Sequence, residues 1–212
     1  MKIEKFVFSP FFVNTYLLYD ETKECIIIDP ACHTKEEKKY LKKIILDKNL
    51  KPSKVLNTHG HLDHIFGNTF FEDEFPNLKS FIHYNDFHWL EKFKDTAERY
   101  GIVVGRTPFI DDFIEENQII RFGNSELKVI ETPGHSSGSV SFYSEKDNFV
   151  IVGDILFRDS VGRVDLPTGD MNVLLESIKN KLFTLNKNTK VYSGHGEDTT
   201  IKYEIENNPF CK

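Results

Sequence analysis

Short apolar runs rich in β-branched residues recur along the chain, each closed by a turn signal: Thr15–Leu18, Cys25–Ile28, Lys54–Asn57, Lys79–Ile82, Leu127–Glu131, Ser139–Tyr143, Phe149–Val152 and Lys190–Tyr192. Their length and side-chain types predict strands. Between them the period lengthens to that of a helix. Lys35–Lys48 places Tyr40, Leu41, Ile44 and Ile45 on one face, and Tyr84–Arg99 and Met171–Phe183 also read as helices. Strands follow one another directly in places and are separated by helices in others. That mixture predicts layered sheets and helices of the α/β (α+β) class rather than a bundle or a pure sandwich. Gly101–Asn117 scatters Phe, Pro and acidic residues without a steady period and reads as a loop that covers something.

The chain has 212 residues. At about 150 residues per domain, one single domain over 1–212 is the economical reading. No repeat, low-complexity tract or long Gly/Ser or Pro linker divides it. Charges sum to 27 − 33 = −6 with no basic block, which argues against a nucleic-acid backbone as the main partner. No apolar run approaches the roughly 20 residues of a membrane span. Met1–Tyr16 sets Lys2, Glu4 and Lys5 among aromatics without a small-residue cleavage site, so no signal peptide is expected. Cys25, Cys32 and Cys211 form an odd, unpatterned set, which fits reduced thiols in a cytoplasm.

Candidate chemistry concentrates in Thr58-His59-Gly60-His61-Leu62-Asp63-His64, which gathers three of the chain's eight histidines. Imidazole and carboxylate are the nitrogen and oxygen ligands that zinc and related ions accept. His59 and His61 are two apart, so an extended segment points both the same way. Asp63 and His64 fall at the predicted start of a helix, which turns them toward a neighbouring point. Four more metal-capable side chains stand just past apolar runs: Asp29 after Cys-Ile-Ile-Ile, His135 after Val-Ile-Glu-Thr-Pro-Gly, Asp154 after Phe-Val-Ile-Val-Gly and His195 after Val-Tyr-Ser-Gly. That is the edge at which open sheets place ligands. Singly, each also fits a satisfied buried polar group. Together they exceed what one tetrahedral zinc takes, and two metals are the better count.

Thr58–His64, Thr132-Pro133-Gly134-His135-Ser136-Ser137-Gly138, Gly153-Asp154 and Gly194-His195-Gly196 together resemble the metallo-β-lactamase superfamily, in order and over nearly the whole chain. The resemblance implies a four-layer αββα sandwich with a metal site at one sheet edge. It implies that His59, His61 and His135 hold one metal, that Asp63, His64 and His195 hold a second, and that Asp154 bridges them. Asp29 matches an acid that orients a ligand histidine rather than binding metal. Within the superfamily the chain is most similar to the compact hydrolases related to hydroxyacylglutathione hydrolase (glyoxalase II). Phe157–Pro167 and the ending Thr199-Thr200 … Glu204 … Asn208-Pro209-Phe210 carry that similarity. Full-length glyoxalase II enzymes have a helical C-terminal domain that supplies much of the glutathione site, and this chain stops about where that domain would begin. The expected substrate is therefore a small thioester or ester, a glutathione or other thiol conjugate among them.

Two zinc ions per chain, about 3.5–4 Å apart, lower the pKa of a bridging water toward about 7 and polarise a carbonyl for attack by metal-bound hydroxide. A thiolate whose conjugate acid has a pKa of about 8.5 departs without a proton, whereas an amide nitrogen needs one. No separate general acid stands out, so Asp63 is the one side chain given a catalytic role, and thioester or ester cleavage is favoured over amide cleavage. The alternative within the same fold is a mononuclear iron persulfide (sulfur) dioxygenase, whose ligands map to His59, His135 and Asp154. A secreted β-lactamase is a third reading; the lack of an expected signal peptide argues against it, as does Asp154 where several of those enzymes place a cysteine.

The remaining polar and aromatic signals are weaker. Arg163 and Asp165 fit either contact with an anionic substrate or an ion pair that pins their loop. His83 and His88 bracket Trp89 on a predicted helix and read as surface residues, and His33 lies outside the site. Cys32 sits near the expected metal edge, a modestly reactive thiol at most, since nothing beside it argues for a lowered pKa. Phe11, Phe12, Phe66, Phe109 and Tyr143 line a pocket or join the core, and with nineteen Phe the core is the default.

Overall fold

In the computed structural model, residues 1–212 are all described, and they group into two units: Met1–Phe113 with Arg121–Ser125, and Ile114–Ile120 with Glu126–Lys212. The first six strands are β1 (Lys2–Phe8), β2 (Val13–Tyr19), β3 (Glu24–Ile28), β4 (Lys51–Leu56), β5 (Lys79–His83) and β6 (Asp112–Ile114), hydrogen-bonded in that order. β1, β2 and β3 pair antiparallel, whereas β3, β4 and β5 run parallel. β2 is buried along its whole length, so its sequence shows no polar–apolar alternation, and its polar Asn14 and Thr15 are buried with the rest. β1 escapes the sequence reading because charges interrupt its apolar positions; the pairing from Lys2↔Tyr19 to Phe8↔Val13 makes it a strand.

Helix α1 (Lys35–Asp47) starts at a reciprocal cap. The Thr34 hydroxyl accepts from the Glu37 N–H at 3.2 Å, and the Glu37 carboxylate accepts from Thr34 N–H at 2.9 Å, His33 N–H at 2.8 Å and Ser9 N–H at 2.8 Å. Leu41 and Ile45 pack into a core with Leu17, Ile27, Val55 and Phe71, the last from α2 (Asn68–Glu74). Tyr40, predicted on the same face, is exposed instead.

The helix predicted over Tyr84–Arg99 is broken. A single 3₁₀ turn at Tyr84–Asp86 leads into α3 (Phe87–Glu91) and α4 (Phe93–Arg99). His83 is the last residue of β5 and is buried, not a surface residue on a helix. Gly101–Asn117 is irregular until β6. Its Ile102, Val104, Ile110 and Phe113 cover a cluster of Leu62, Ile65, Phe66, Ile82, Leu90, Phe93 and Ala97.

The second sheet has the order β14-β13-β10-β9-β8-β7. Its strands are β7 (Ile119–Phe122), β8 (Ser125–Glu131), β9 (Val140–Ser144), β10 (Phe149–Gly153), β13 (Lys190–Ser193) and β14 (Thr199–Thr200), and β11 (Leu156–Phe157) with β12 (Ser160–Val161) forms a small hairpin after β10. The segment predicted as one helix at Met171–Phe183 is α5 (Met171–Asn180) followed by a 3₁₀ turn at Leu182–Thr184. Asp170 caps α5, its carboxylate accepting from Asn172 N–H at 2.8 Å and Val173 N–H at 3.1 Å. α6 (Ile201–Asn207) closes the chain. Leu174, Ile178, Val150, Val152, Val191 and Ile201 make the core of this unit. Two mixed sheets with their helices are the α/β class that the sequence predicts. No helix is long and apolar enough to cross a membrane.

All three cysteines are free. Cys25 and Cys32 are fully buried, and burial pushes each thiol up to about 12, so Cys32 is inert rather than modestly reactive. Cys211 is half-buried. A thiol-specific reagent at pH 8 is expected to modify one cysteine of the folded protein and all three after denaturation. Rapid modification of more than one in the folded protein would contradict this packing.

Candidate metal centre

Because β3, β4 and β5 run parallel, their C-terminal ends share one sheet edge, and the residues that follow them gather there: Asp29, then Thr58–His64, then Asp86. Asp29 adopts a left-handed backbone, φ +48°, which Asp tolerates better than most residues. Neighbouring backbone groups hold it there. Its N–H donates to Leu56 O at 3.0 Å, and its carbonyl accepts from the Thr15 hydroxyl at 2.6 Å.

The Asp29 carboxylate, 1% exposed, accepts three hydrogen bonds. Thr58 N–H reaches Oδ1 at 2.8 Å; the Thr58 hydroxyl and His64 Nδ1–H reach Oδ2 at 2.6 and 3.0 Å. The Thr58 hydroxyl spends its proton on Asp29, so at 3.0 Å from His59 Nδ1 it accepts that ring's proton. Both imidazoles therefore carry hydrogen on Nδ1, and Nε2 is the lone pair each offers to a cation.

The His59 ring lies 4.7 Å from that of His61 and 4.1 Å from that of His64, centroid to centroid. Asp63 Oδ2 is 3.9 Å from His64 Nε2. Asp63 and His64 sit on a helical turn as predicted, a single 3₁₀ turn at Leu62–His64. Asn57 holds that turn, donating Nδ2–H to His64 O at 3.2 Å and accepting from Asn68 Nδ2 at 2.7 Å. Asn57 and Asn68 carry no signal in the sequence, and the supporting role of Thr58 within its motif is equally silent there, since their partners are set by the turn.

In the second sheet β8 is antiparallel to β9, β9 to β10, and β10 parallel to β13. β8, β10 and β13 thus end at one edge, and His135, Asp154 and His195 follow them. Asp154 Oδ2 lies 3.7 Å from His135 Nε2 and 3.4 Å from His195 Nε2, one carboxylate oxygen between two imidazoles. Metal–ligand bonds of about 2.0–2.2 Å at tetrahedral angles separate two ligand atoms by about 3.4 Å, so this donor set suits shared cations. His135 Nδ1–H donates to Arg163 O at 2.7 Å, which again turns Nε2 toward the carboxylate.

Gly162 makes that approach possible. A Cβ there would fall 1.8 Å from Asp154 O and 3.3 Å from His135 Nδ1. The Arg163 guanidinium turns away to grip Asp165 at 2.7 and 2.6 Å, an exposed ion pair within the loop that holds Asp165 down to about 2. Glu204, fully buried, accepts from the Thr199 hydroxyl at 2.5 Å, Asn208 Nδ2 at 2.8 Å and Asp159 N–H at 3.1 Å, tying the β11–β12 hairpin to α6.

Other sequence candidates go elsewhere. His33 Nε2 pairs with Val103 O at 3.3 Å, and His88 Nδ1–H with Asn85 O at 2.8 Å. Phe66 is core and stacks with Phe11, and Tyr143 packs on the second core, whereas Phe12 and Phe109 are exposed and join neither core.

Asp29→Ala strands three donors, at about 1–3 kcal/mol each, so a loss of at least about 3 kcal/mol in urea unfolding is expected; a loss below 1 kcal/mol would remove Asp29 from the centre of this network.

The sequence profile of the metallo-beta-lactamase superfamily matches residues 8–195. The hydroxyacylglutathione hydrolase GloC of Haemophilus influenzae is 33% identical over 217 residues, covering 99% of this chain and 98% of its own. Among solved structures, the BLEG-1 B3 metallo-beta-lactamase superposes with a TM-score of 0.91 at 34% identity, covering all of both chains. The structure of TTHA1623 in a di-iron-bound form gives 0.87 at 32% identity, covering 98% of this chain and 99% of that one.

Proposed function

The chain belongs to the metallo-beta-lactamase superfamily, and from that membership we propose that it is a hydrolase with two zinc ions, cleaving a small thioester or ester, a glutathione or other thiol conjugate among the candidates. The observation that carries the reading is the Asp154 oxygen lying between His135 and His195. In this proposal the ligand-bearing edges act as one centre within a single domain: His59, His61 and His135 hold one ion, Asp63, His64 and His195 the other, and Asp154 bridges. The protein works in the cytoplasm, where its three free thiols stay reduced.

When bound, the ions acidify a water and polarise the substrate carbonyl. The chain supplies the geometry. Asp29 and Thr58 fix the His59 and His64 rings, and the Arg163 carbonyl fixes His135, so each presents Nε2 without having to reorganise. Asp63 is only partly buried and takes up the proton that the attacking water loses. A leaving thiolate needs no donor, which suits a site whose proton handling falls to one partly buried carboxylate. The name of the GloC relative supports thioester chemistry.

The di-iron-bound form of TTHA1623 favours a second reading, in which these side chains hold iron. The one-iron alternative within the same fold is a persulfide dioxygenase using His59, His135 and Asp154. Elemental analysis of freshly purified protein, with turnover of S-lactoylglutathione, a β-lactam and glutathione persulfide, separates these. Two zinc ions and thioester turnover are expected; one iron with oxygen uptake on persulfide would replace the proposal, and β-lactam turnover alone would overturn the thioester assignment. Asp154→Ala is expected to reduce metal content and abolish turnover. Asp63→Ala is expected to lower hydrolysis by 100-fold or more, on the scale of about 10²–10⁴ for a positioned proton-transfer group; unchanged hydrolysis would remove Asp63 from proton transfer.

A further inference from the structure

We propose that Asp86, on the turn after β5, and Trp89, on the helix α3 that follows it, are positioning residues that set the shape of the His59-Gly60-His61 ligand segment; the inference rests on the metal centre proposed above. Neither residue is a metal ligand in that reading. Asp86 is fully buried at the end of the Tyr84–Asp86 turn, and its Oδ2 accepts the Gly60 N–H at 2.8 Å. On the other side of Gly60 there is no room. A Cβ would fall 2.7 Å from the backbone oxygen of Asp86, 3.0 Å from Trp89 Cβ and 3.1 Å from Trp89 Cδ1. Glycine stands here because another backbone presses against it. One residue of the ligand segment is thus hydrogen-bonded by the Asp86 carboxylate and walled by the Asp86 carbonyl and the Trp89 side chain.

The wall continues onto the next ligand. The Trp89 ring meets His61 edge-to-face, centroids 4.6 Å apart at 74°. Trp89 is buried, and its Nε1–H has no hydrogen-bond partner, so shape holds the ring against Gly60 and His61. His59 has its own restraint in Thr58 and Asp29. The brace on Gly60 and His61 is what keeps the second imidazole of the pair in register with the first. It comes from β5, a strand other than the one that carries the ligands, so the angle between the two histidines is set across the sheet.

The test is zinc affinity, measured by competition with a chromophoric chelator, beside the melting temperature of the metal-free protein. Trp89 is the only tryptophan, so its fluorescence reports zinc arriving at His61 without any turnover assay. Asp86→Ala is expected to weaken zinc binding about 10-fold to 100-fold, the range for groups that orient ligands. Asp86→Asn keeps an oxygen that accepts from Gly60 N–H and is expected to restore most of that affinity. If Asp86→Ala does not fold, Trp89→Leu, which removes the wall and leaves the carboxylate, is expected to show the loss instead. Lowered melting temperatures with wild-type zinc affinity in the folded variants would overturn the brace and leave a structural role. A wild-type protein that binds no zinc would instead overturn the metal centre itself.

Discussion

A carboxylate enters a protein interior only with donors for its oxygens, and the buried Asp29 carboxylate has three, all from the Thr58–His64 segment: the Thr58 N–H, the Thr58 hydroxyl and His64 Nδ1–H. That requirement works in both directions. The donors permit the charge to be buried, and the charge fixes which nitrogen of His64 carries hydrogen and, through Thr58, which nitrogen of His59 does. The left-handed backbone at Asp29 is the conformation that turns its side chain from the end of β3 toward the end of β4, and backbone bonds to Leu56 and from Thr15 hold it. Metal affinity in a site of this kind depends on what stops the imidazoles rotating as well as on the imidazoles themselves.

Strand direction supplies the next level of control. Parallel strands end on the same side of a sheet, so residues far apart in sequence arrive as neighbours without any loop having to reach. β3, β4 and β5 deliver Asp29, the Thr58–His64 segment and Asp86 in this way, and β8, β10 and β13 deliver His135, Asp154 and His195. Loops built on those ends remain short, and close backbone contacts then shape them. Gly162 leaves space for Asp154 and His135 to approach, and Gly60 leaves space for the turn after β5. A side chain on Gly162 would collide with Asp154 and crowd His135, and one on Gly60 would collide with Asp86 and Trp89.

The sequence was most readable where one local pattern carried the information. Short apolar runs located the central strands, the helical spacing of Leu41, Ile44 and Ile45 marked α1, and the His-x-His-x-Asp-His segment and the single acids and histidines after strands marked the candidate ligands. It was least readable where a partner decides the outcome. β1 becomes a strand through its pairing with β2, and the helical pattern of Tyr84–Arg99 splits into a 3₁₀ turn and two short helices, with Asp86 drawn inward to the Gly60 N–H where the turn gives way to α3. Phe12 and Phe109 look like core by composition, yet both lie exposed.

Residue types and their spacing thus determined by themselves the α/β class, the family resemblance and the set of metal-capable side chains, because hydrophobic periodicity and ligand chemistry are local properties of the chain. The tertiary structure decided which imidazole nitrogen faces a cation, which glycines are obligatory and which acids serve as supports. Those depend on hydrogen bonds and close contacts between segments that meet only after the strands have paired.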